Sequence, residues 1–202
     1  MAQMPKNRAT PKRLKTDVSR AKSQVGTLDS QRKLFTAQAM LIRAEIEQVT
    51  SELNALRQSI EEWVGVFSDT MIDCTPWVVP TDVATSVSHV GKVRIATLED
   101  VSFPDELPDP FSTPLWVDAG IQAVRKEREL QIRLSILQRN FDAVEAERKR
   151  VTRLYNYLDK VRIPRLVEQI RVTQIALDDA QREESCLAKV ASDLLKQKGE
   201  AA

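Results

Sequence analysis

The sequence predicts a mainly α-helical fold, a long antiparallel two-helix coiled-coil hairpin with a short β-hairpin in a proline-rich bend. Apolar residues recur at alternating steps of three and four along both ends of the chain, and six of the nine prolines lie between residues 76 and 114. A 3.5-residue repeat keeps one stripe of a helix facing a partner helix. Because proline lacks the amide hydrogen and clashes with the preceding turn, it ends a helix.

The first helix is predicted over residues 11–75, after a basic, flexible segment of residues 1–10. Thr10 is expected to act as the N-cap, with Pro11 at the first helical position. A helix this long leaves an apolar stripe that a second helix must cover. Only one position in its predicted seam, Arg32, is not apolar. The seam runs through Leu14, Val18, Ala21, Val25, Leu28, Arg32, Phe35, Ala39, Ile42, Ile46, Val49, Leu53, Leu56, Ile60, Trp63 and Phe67.

Residues 76–114 form the predicted bend. The segment 86–103 mixes β-branched residues around a turn expected at residues 89–92, which predicts a short β-hairpin. The aromatic residues in and beside the bend form either a small core that closes it or an exposed docking patch. These aromatic residues are Trp63, Phe67, Trp77, Phe103, Phe111 and Trp116.

The second helix is predicted over residues 115–198, followed by a frayed tail at 199–202. Two successive steps of four around Arg162 change the phase of its seam, and Pro164 lies in the same place. We therefore expect a stutter that locally unwinds the supercoil, together with a kink or compliant point. The predicted seam runs through Val117, Ile121, Val124, Leu130, Leu134, Leu137, Phe141, Val144, Arg148, Val151, Tyr155, Leu158, Arg162, Leu166, Ile170, Thr173, Leu177, Ala180, Glu184, Leu187, Ala191 and Leu194.

Charge is strongly segregated, although the net charge is +1. Residues 1–43 carry ten Lys/Arg against two Asp/Glu, residues 44–118 carry three against fourteen, and residues 119–202 carry seventeen against thirteen. Such segregation is typical either of a molecule whose ends meet different surfaces or of a solvated charged face.

No pattern in the sequence indicates a catalytic or cofactor site. There is no phosphate-binding loop, and one histidine with two separated cysteines provides no zinc ligand set. Adjacent carboxylates such as Glu61 and Glu62 point about 100° apart on a helix. The basic clusters lack interleaved aromatic residues, which argues against direct nucleic-acid binding. No apolar run is long enough to span a membrane and no secretory signal is present. We expect a cytoplasmic, non-enzymatic protein without cofactors, which associates with a membrane only through a complex.

The segment of residues 156–166, Asn-Tyr-Leu-Asp-Lys-Val-Arg-Ile-Pro-Arg-Leu, resembles a motif of the D subunit, the central rotor shaft of V-type and A-type rotary ATPases. In that family a motif close to N-A-L-E-x-V-x-I-P-R-L precedes a second motif, L-D-E-x-E-R-E. Here the core of the first motif is Ile163, Pro164, Arg165 and Leu166, and residues 177–183 follow at the matching spacing.

A looser likeness lies near the N-terminus, where leucine, lysine, alanine and arginine positions of the family are matched. The chain departs from the family at several positions, which is typical of a divergent member, and its length of 202 residues resembles that of prokaryotic members. The matched positions are Leu14, Lys15, Val18, Ala21, Leu28 and Arg32, and the departures are Gln24, Lys33, Val167, Ser185 and Cys186.

The resemblance implies a non-catalytic rotor protein that transmits torque between ATP hydrolysis or synthesis and ion translocation. Both terminal helices would enter the bore of a hexamer of catalytic and non-catalytic nucleotide-binding subunits. The bend would meet the F subunit and the membrane-rotor socket subunit, on the cytoplasmic face of the membrane. Candidate hexamer contacts are the basic residues Lys12, Arg13, Lys15, Arg182 and Lys189. Candidate socket contacts are the acidic residues Glu99, Asp100, Asp105, Glu106 and Asp109.

Two other functions fit the helical pattern. A prefoldin-like chaperone subunit also places β-hairpins between coiled-coil helices, but it uses apolar helix tips, whereas the N-terminal tip here is basic. A generic cytosolic coiled-coil tether gives no reason for the Ile-Pro-Arg-Leu motif. Copurification distinguishes these functions, because a rotor, a chaperone and a tether retain different partners.

Overall fold

The computed structural model describes residues 9–61, 74–106, 108, 109, 113, 114 and 116–200, with side chains from residue 10 to residue 193. Predictions for Trp63, Phe67, Phe111 and the side chain of Leu194 lie outside these described parts. The elements in chain order are α1 (Ala9–Glu61), α2 (Thr75–Val78), β1 (Asp82–Val90), β2 (Val93–Ser102), α3 (Trp116–Tyr157), a π-helical turn (Leu158–Arg162) and α4 (Ile163–Glu200). The prediction of a mainly helical chain with one small antiparallel sheet is confirmed.

The chain divides into two compact units. One contains residues 1–30 and 151–202, and the other contains residues 31–150. In the first unit the buried apolar residues lie on the predicted seams of both of its segments, at Leu14, Ala21, Leu28, Val151 and Leu158. Heptad positions therefore form its core, as expected for paired helices.

The unit of residues 31–150 buries the same kind of seam. Every described seam position of α1 and α3 that lies in this unit is buried or half-buried. The largest fully buried side chains here include Val49, Val117, Ile121 and Val144. Arg57 Nε of α1 donates to Glu127 Oε1 of α3 at 2.9 Å, which gives the pairing register that the seam alone did not predict.

The strands β1 and β2 form an antiparallel hairpin with a two-residue turn. Val90 pairs with Val93, and Gly91 has a φ of +60°. Position 91 favours glycine because a side chain in the left-handed region is strained. The predicted turn at residues 89–92 was slightly misplaced, since His89 and Val90 continue the strand. A bulge between Ala84 and Thr85 leaves Glu99 as the extra residue of β2.

Two described aromatic residues of the bend lie in a small core. Trp77 and Trp116 are partly buried against Val78, Val117 and Ile121. Of the two interpretations left open by the sequence, these two tryptophans support a core that closes the bend. The hydrophobic effect holds this part of the chain beside the start of α3.

Arg125 of α3 binds two other segments of the chain beside that core. Its Nε donates to the Trp77 carbonyl oxygen at 2.8 Å and its Nη2 to the Pro104 carbonyl oxygen at 2.7 Å. Its guanidinium carbon lies 5.2 Å from the centre of the Phe103 ring, within cation–π range. One side chain therefore provides donors for two carbonyl groups that no regular strand or helix would satisfy.

The π-helical turn corrects the predicted seam at Arg162. The Ile163 amide donates to the Leu158 carbonyl oxygen, five residues earlier. A helical turn closed by a hydrogen bond between residues five apart contains one residue more than an α-helical turn. Arg162 is exposed, whereas Ile163 and Leu166 are half-buried. The seam therefore passes from Leu158 to Ile163 and then returns to steps of three and four.

The predicted seam ends earlier than expected. Thr173 is buried and Ala180 is half-buried, but Glu184, Leu187 and Ala191 are exposed. The heptad spacing of α4 continues beyond Ala180, but the described part of the chain no longer buries the residues at those positions. Leu187 is 71% exposed.

Candidate functional site

The residues that the sequence nominated lie on surfaces rather than in a reaction pocket. Lys12, Arg13 and Lys15 are exposed on the first turns of α1. Lys189 is exposed on α4, and Arg182 Nη1 lies 3.6 Å from Asp179 Oδ1 on the same helix. All five basic candidates belong to the unit of residues 1–30 and 151–202. Their contact with a hexamer stays a prediction.

The acidic candidates occupy two places in the unit of residues 31–150. Glu99 and Asp100 are exposed on β2, at and beside the bulge. Asp105, Glu106 and Asp109 are exposed in the segment between β2 and α3. Their role in socket binding also stays a prediction.

The hairpin is docked along the helices instead of projecting from them. The Asn140 side chain is 5% exposed and forms two hydrogen bonds with the backbone of Ala96. Asn140 Nδ2 donates to the Ala96 carbonyl oxygen at 2.6 Å, and the Ala96 amide donates to Asn140 Oδ1 at 3.0 Å. The side-chain amide of Asn140 offers both a donor and an acceptor, and these pair with the backbone carbonyl and amide of Ala96. The outer edge of β2 is therefore hydrogen-bonded to α3 at this residue.

The tip of the hairpin packs against α1. A Cβ added at Gly91 would lie 3.2 Å from Cζ of Phe35, which is itself 3% exposed. The hydrogen bond from Arg150 is the main cause that lowers the pKa of Glu147 on α3, and the charge of Lys92, in the turn, contributes in the same direction. Together with the bonds to Asn140 and Arg125, these contacts show β2 running antiparallel to α3.

A cleft of about 500 Å³ remains between the hairpin and the two helices. Its walls include apolar side chains such as Ile42, Ile95 and Leu137 and the carboxylates of Glu45 and Glu129. Among the described residues, no three His, Cys, Asp or Glu side chains are placed to hold a metal ion. No helix in the described ranges has an apolar stretch suited to crossing a bilayer.

Ion pairs on α3 are mostly local. Arg148 donates to both carboxylate oxygens of Glu145 at 2.6 and 2.7 Å, and this hydrogen bonding lowers the pKa of Glu145. Arg150 forms the same arrangement with Glu147. Pairs of this spacing support a helix only weakly, because water screens the attraction between exposed charges. The bidentate pair of Arg148 with Glu145 thus lies within its own helix.

Sequence reasoning missed a second heptad stripe on α1. Its positions alternate in steps of three and four, all are exposed, and none is charged in a chain that is 29% charged. Leu34 is 50% exposed and Leu41 is 60% exposed. The spacing was readable from the sequence, but only the burial of the neighbouring seam identifies this stripe as a separate face. We call it the uncharged stripe: Leu34, Ala37, Leu41, Ala44, Gln48, Ser51, Ala55 and Gln58.

Comparisons with known proteins identify the family of the chain. The model of the family described as the ATP synthase D subunit matches residues 10–193. A V-type ATP synthase D subunit of Borreliella burgdorferi is 23% identical over 184 residues, covering 91% of each chain.

Two further relatives share a shorter stretch. The V-type ATP synthase D subunit of Thermus thermophilus is 31% identical over 104 residues, which cover 51% of this chain and 46% of the relative. The same protein of Thermotoga neapolitana is 29% identical over 98 residues, 48% of each chain. Since the family model spans nearly the whole sequence, the chain belongs to the ATP synthase D subunit family.

Proposed function

We propose that this chain is the central-stalk rotor subunit of a V/A-type ATPase or ATP synthase. It is a non-catalytic part of the complex that transmits torque between the nucleotide-binding hexamer and the membrane ion-translocating rotor. Membership of the D subunit family supports this function. The observation that carries it is the buried heptad seam along α1 and α3, which is suited to a mechanical element.

Torque transmission needs stiffness and an asymmetric surface instead of reacting groups. Buried seam residues such as Ile42, Val49 and Val144 resist sliding of one helix past the other, because a shift out of register would expose their apolar surface to water. A shaft with different contacts on different sides biases the surrounding subunits toward different conformations. No group on the shaft has to take part in ATP chemistry.

The charge distribution and the uncharged stripe support separate partner surfaces. The exposed basic residues on α1 and α4 suit the acidic or polar lining of a bearing in the hexamer. The exposed acids of β2 and the following segment suit a basic socket on the membrane rotor. The uncharged stripe has the 3.5-residue spacing of a coiled-coil face, so it suits an apolar helix of another central-stalk protein, such as the F subunit.

The rival functions have less support. A prefoldin-like chaperone and a generic tether both account for paired helices, but neither accounts for a match to the D subunit family over residues 10–193. The complex, in this proposal, lies on the cytoplasmic face of the membrane.

Disulfide cross-linking to the hexamer tests the proposed function. In a background with Cys74→Ser and Cys186→Ser, a cysteine placed at exposed Lys15 should cross-link to the hexamer and block ATP turnover until reductant is added. A cysteine at exposed Ser51, on the uncharged stripe, is the matched control and should cross-link to a central-stalk partner instead. A chain that copurifies with no nucleotide-binding subunit, or a cross-link that leaves turnover unchanged, would contradict the rotor role.

A further inference from the structure

Among the described residues, no strand pairs with the outer edge of β1. Because both backbone groups of Ala96 bond to Asn140, they point away from β1, so the pair of Val87 with Ala96 is a non-hydrogen-bonded pair. The amide and carbonyl of Val87 must therefore point away from β2. The same alternation turns the backbone groups of Thr85 and His89 outward. Within the described residues, no hydrogen bond reaches these outward groups.

This edge lacks the features that usually protect an edge strand. Residues 85–89, Thr-Ser-Val-Ser-His, contain no proline, lysine or carboxylate. The extra residue of the bulge, Glu99, lies on the other strand. Val83 is 37% exposed and Val87 is 46% exposed on the face beside the edge. A long, uncharged and exposed edge is a template for pairing with another backbone.

The two edges of the hairpin thus differ. Asn140 closes the edge of β2, whereas the outward donors and acceptors of β1, spaced for a strand, have no partner in the part of the chain that the structure describes. We propose that residues Thr85–His89 accept an extended segment of another subunit as a third, antiparallel strand. This inference rests on the proposed function, because a shaft on the axis of a hexamer has no second copy beside it.

The charged residues beside the outer edge of β1 indicate which charges the added strand should carry. The Asp82 end of β1 lies next to Asp100, and its other end lies near Lys92 and Arg94. An antiparallel segment therefore needs acidic residues at its own N-terminal end and basic residues at its C-terminal end, with β-branched residues between them. Backbone pairing supplies affinity and these side chains supply specificity.

Residue-resolved hydrogen exchange of the full chain, free and assembled with its complex, tests the proposal. Assembly should slow exchange of the amides of Thr85, Val87 and His89 at least tenfold. The amides of Ser86 and Ser88 already face β2 and should change little. Unchanged exchange at Thr85, Val87 and His89 in a chain that has entered the complex overturns the strand proposal and leaves the rotor function standing.

A peptide probe separates the two proposals if the complex does not form. The probe is a blocked heptapeptide, Glu-Val-Thr-Val-Thr-Val-Lys, which should protect the same three amides. Of two analogues, one methylated at the valine nitrogens and one at the threonine nitrogens, only one should lose binding, because strand pairing uses alternate amides. Equal loss or equal binding of the two analogues, or protection caused only by self-association of the chain, overturns the proposal.

A proline variant examines the edge directly. Val87→Pro removes one outward donor and no donor to β2, so it should weaken binding of the complex or the probe at least tenfold. Val87→Thr keeps the donor and should bind as the parent does. Retained exchange protection at Ser86 and Ser88 verifies that the hairpin has folded, and unimpaired binding by a folded Val87→Pro chain contradicts the proposal.

Discussion

Asn140 shows how much one buried polar side chain decides in this fold. It stands between apolar seam residues of α3, and its carboxamide bonds to both backbone groups of Ala96 on β2. A buried donor or acceptor that loses its partner costs about 1–3 kcal/mol. The position of the hairpin against α3 therefore depends on this residue.

Replacing Asn140 by alanine should destabilise the chain by about 2 kcal/mol, because two hydrogen bonds are lost and the Ala96 groups are left poorly hydrated. Urea unfolding monitored by circular dichroism measures the change. Gln138→Ala, on an exposed position of the same helix, is the matched control and should change stability by less than about 0.5 kcal/mol. Equal effects of the two variants would contradict the role of the carboxamide.

Two glycines should respond to alanine in opposite directions. Gly91 has a φ of +60° and faces the Phe35 ring, so Gly91→Ala should cost about 1–2 kcal/mol. Gly26 lies inside α1, and beyond the local backbone of that helix no atom of the described residues lies within 4 Å of an added Cβ, so Gly26→Ala should stabilise the chain by about 0.5–1 kcal/mol. Thermal unfolding of both variants measures the difference, and a destabilised Gly26→Ala chain would show that the space around α1 is misassigned.

At the scale of elements, the seam was predictable because one physical rule, burial of every 3.5th residue, determines it from Leu14 to Ile60. The π-helical turn was not predicted, because counting steps assumes α-helical geometry throughout. Pro164 cannot donate to the Lys160 carbonyl oxygen, and the turn before it adopts five-residue bonding. The docking of the hairpin was also unpredictable, since it depends on contacts such as Asn140 with Ala96 between segments distant in sequence.

The π-helical turn should tolerate loss of one residue where the rest of the helix does not. Deleting exposed Lys160 together with Pro164→Ala removes the extra residue and lets an α-helix carry the seam directly to Leu166. We expect this variant to stay within about 1 kcal/mol of the parent in unfolding experiments.

Deleting exposed Gln169 is the matched control for that variant. It rotates Ile170, Thr173 and Leu177 about 100° away from the seam and should cost on the order of 3 kcal/mol. A Lys160 deletion that is as damaging as the Gln169 deletion would contradict the one-residue insertion at the π-helical turn.

The uncharged stripe should bind a helix of another central-stalk protein. Leu41→Glu places a charge in the middle of that contact and should weaken binding of the partner at least tenfold, because the carboxylate would be desolvated. Leu41→Gln is similar in size but uncharged and should have a smaller effect. Calorimetry with the purified partner measures both, and equal affinities of the parent and Leu41→Glu chains would exclude the stripe as a binding surface.

At the scale of the whole molecule, charge is the property that the chain distributes most unevenly. The acidic middle of the sequence and its basic ends were evident from composition. The structure adds that the candidate acids are exposed, two on β2 and three in the segment before α3. The partner that each charged region binds depends on the surfaces of other proteins. The sequence alone therefore predicted that the partners carry opposite charge, but it did not predict which residues meet.

Neutralising the acids of the bend should weaken binding to a basic socket subunit through long-range attraction. The variant changes Glu99 and Glu106 to glutamine and Asp100, Asp105 and Asp109 to asparagine. Its affinity should fall most at about 10 mM salt, where charges interact over about 30 Å, and less at about 100 mM salt, where that distance is about 10 Å.

A second variant with the same net charge shows whether the position of the bend acids matters or only the number of acids removed. It neutralises five exposed acids of α4: Asp178, Asp179, Glu183, Glu184 and Asp193. If the socket reads the local field of the bend, this variant should bind with nearly the affinity of the parent at both salt concentrations. If both variants lose the same affinity, net charge alone governs the encounter. If neither loses affinity, the bend acids are a solvated face and the socket must bind through other residues.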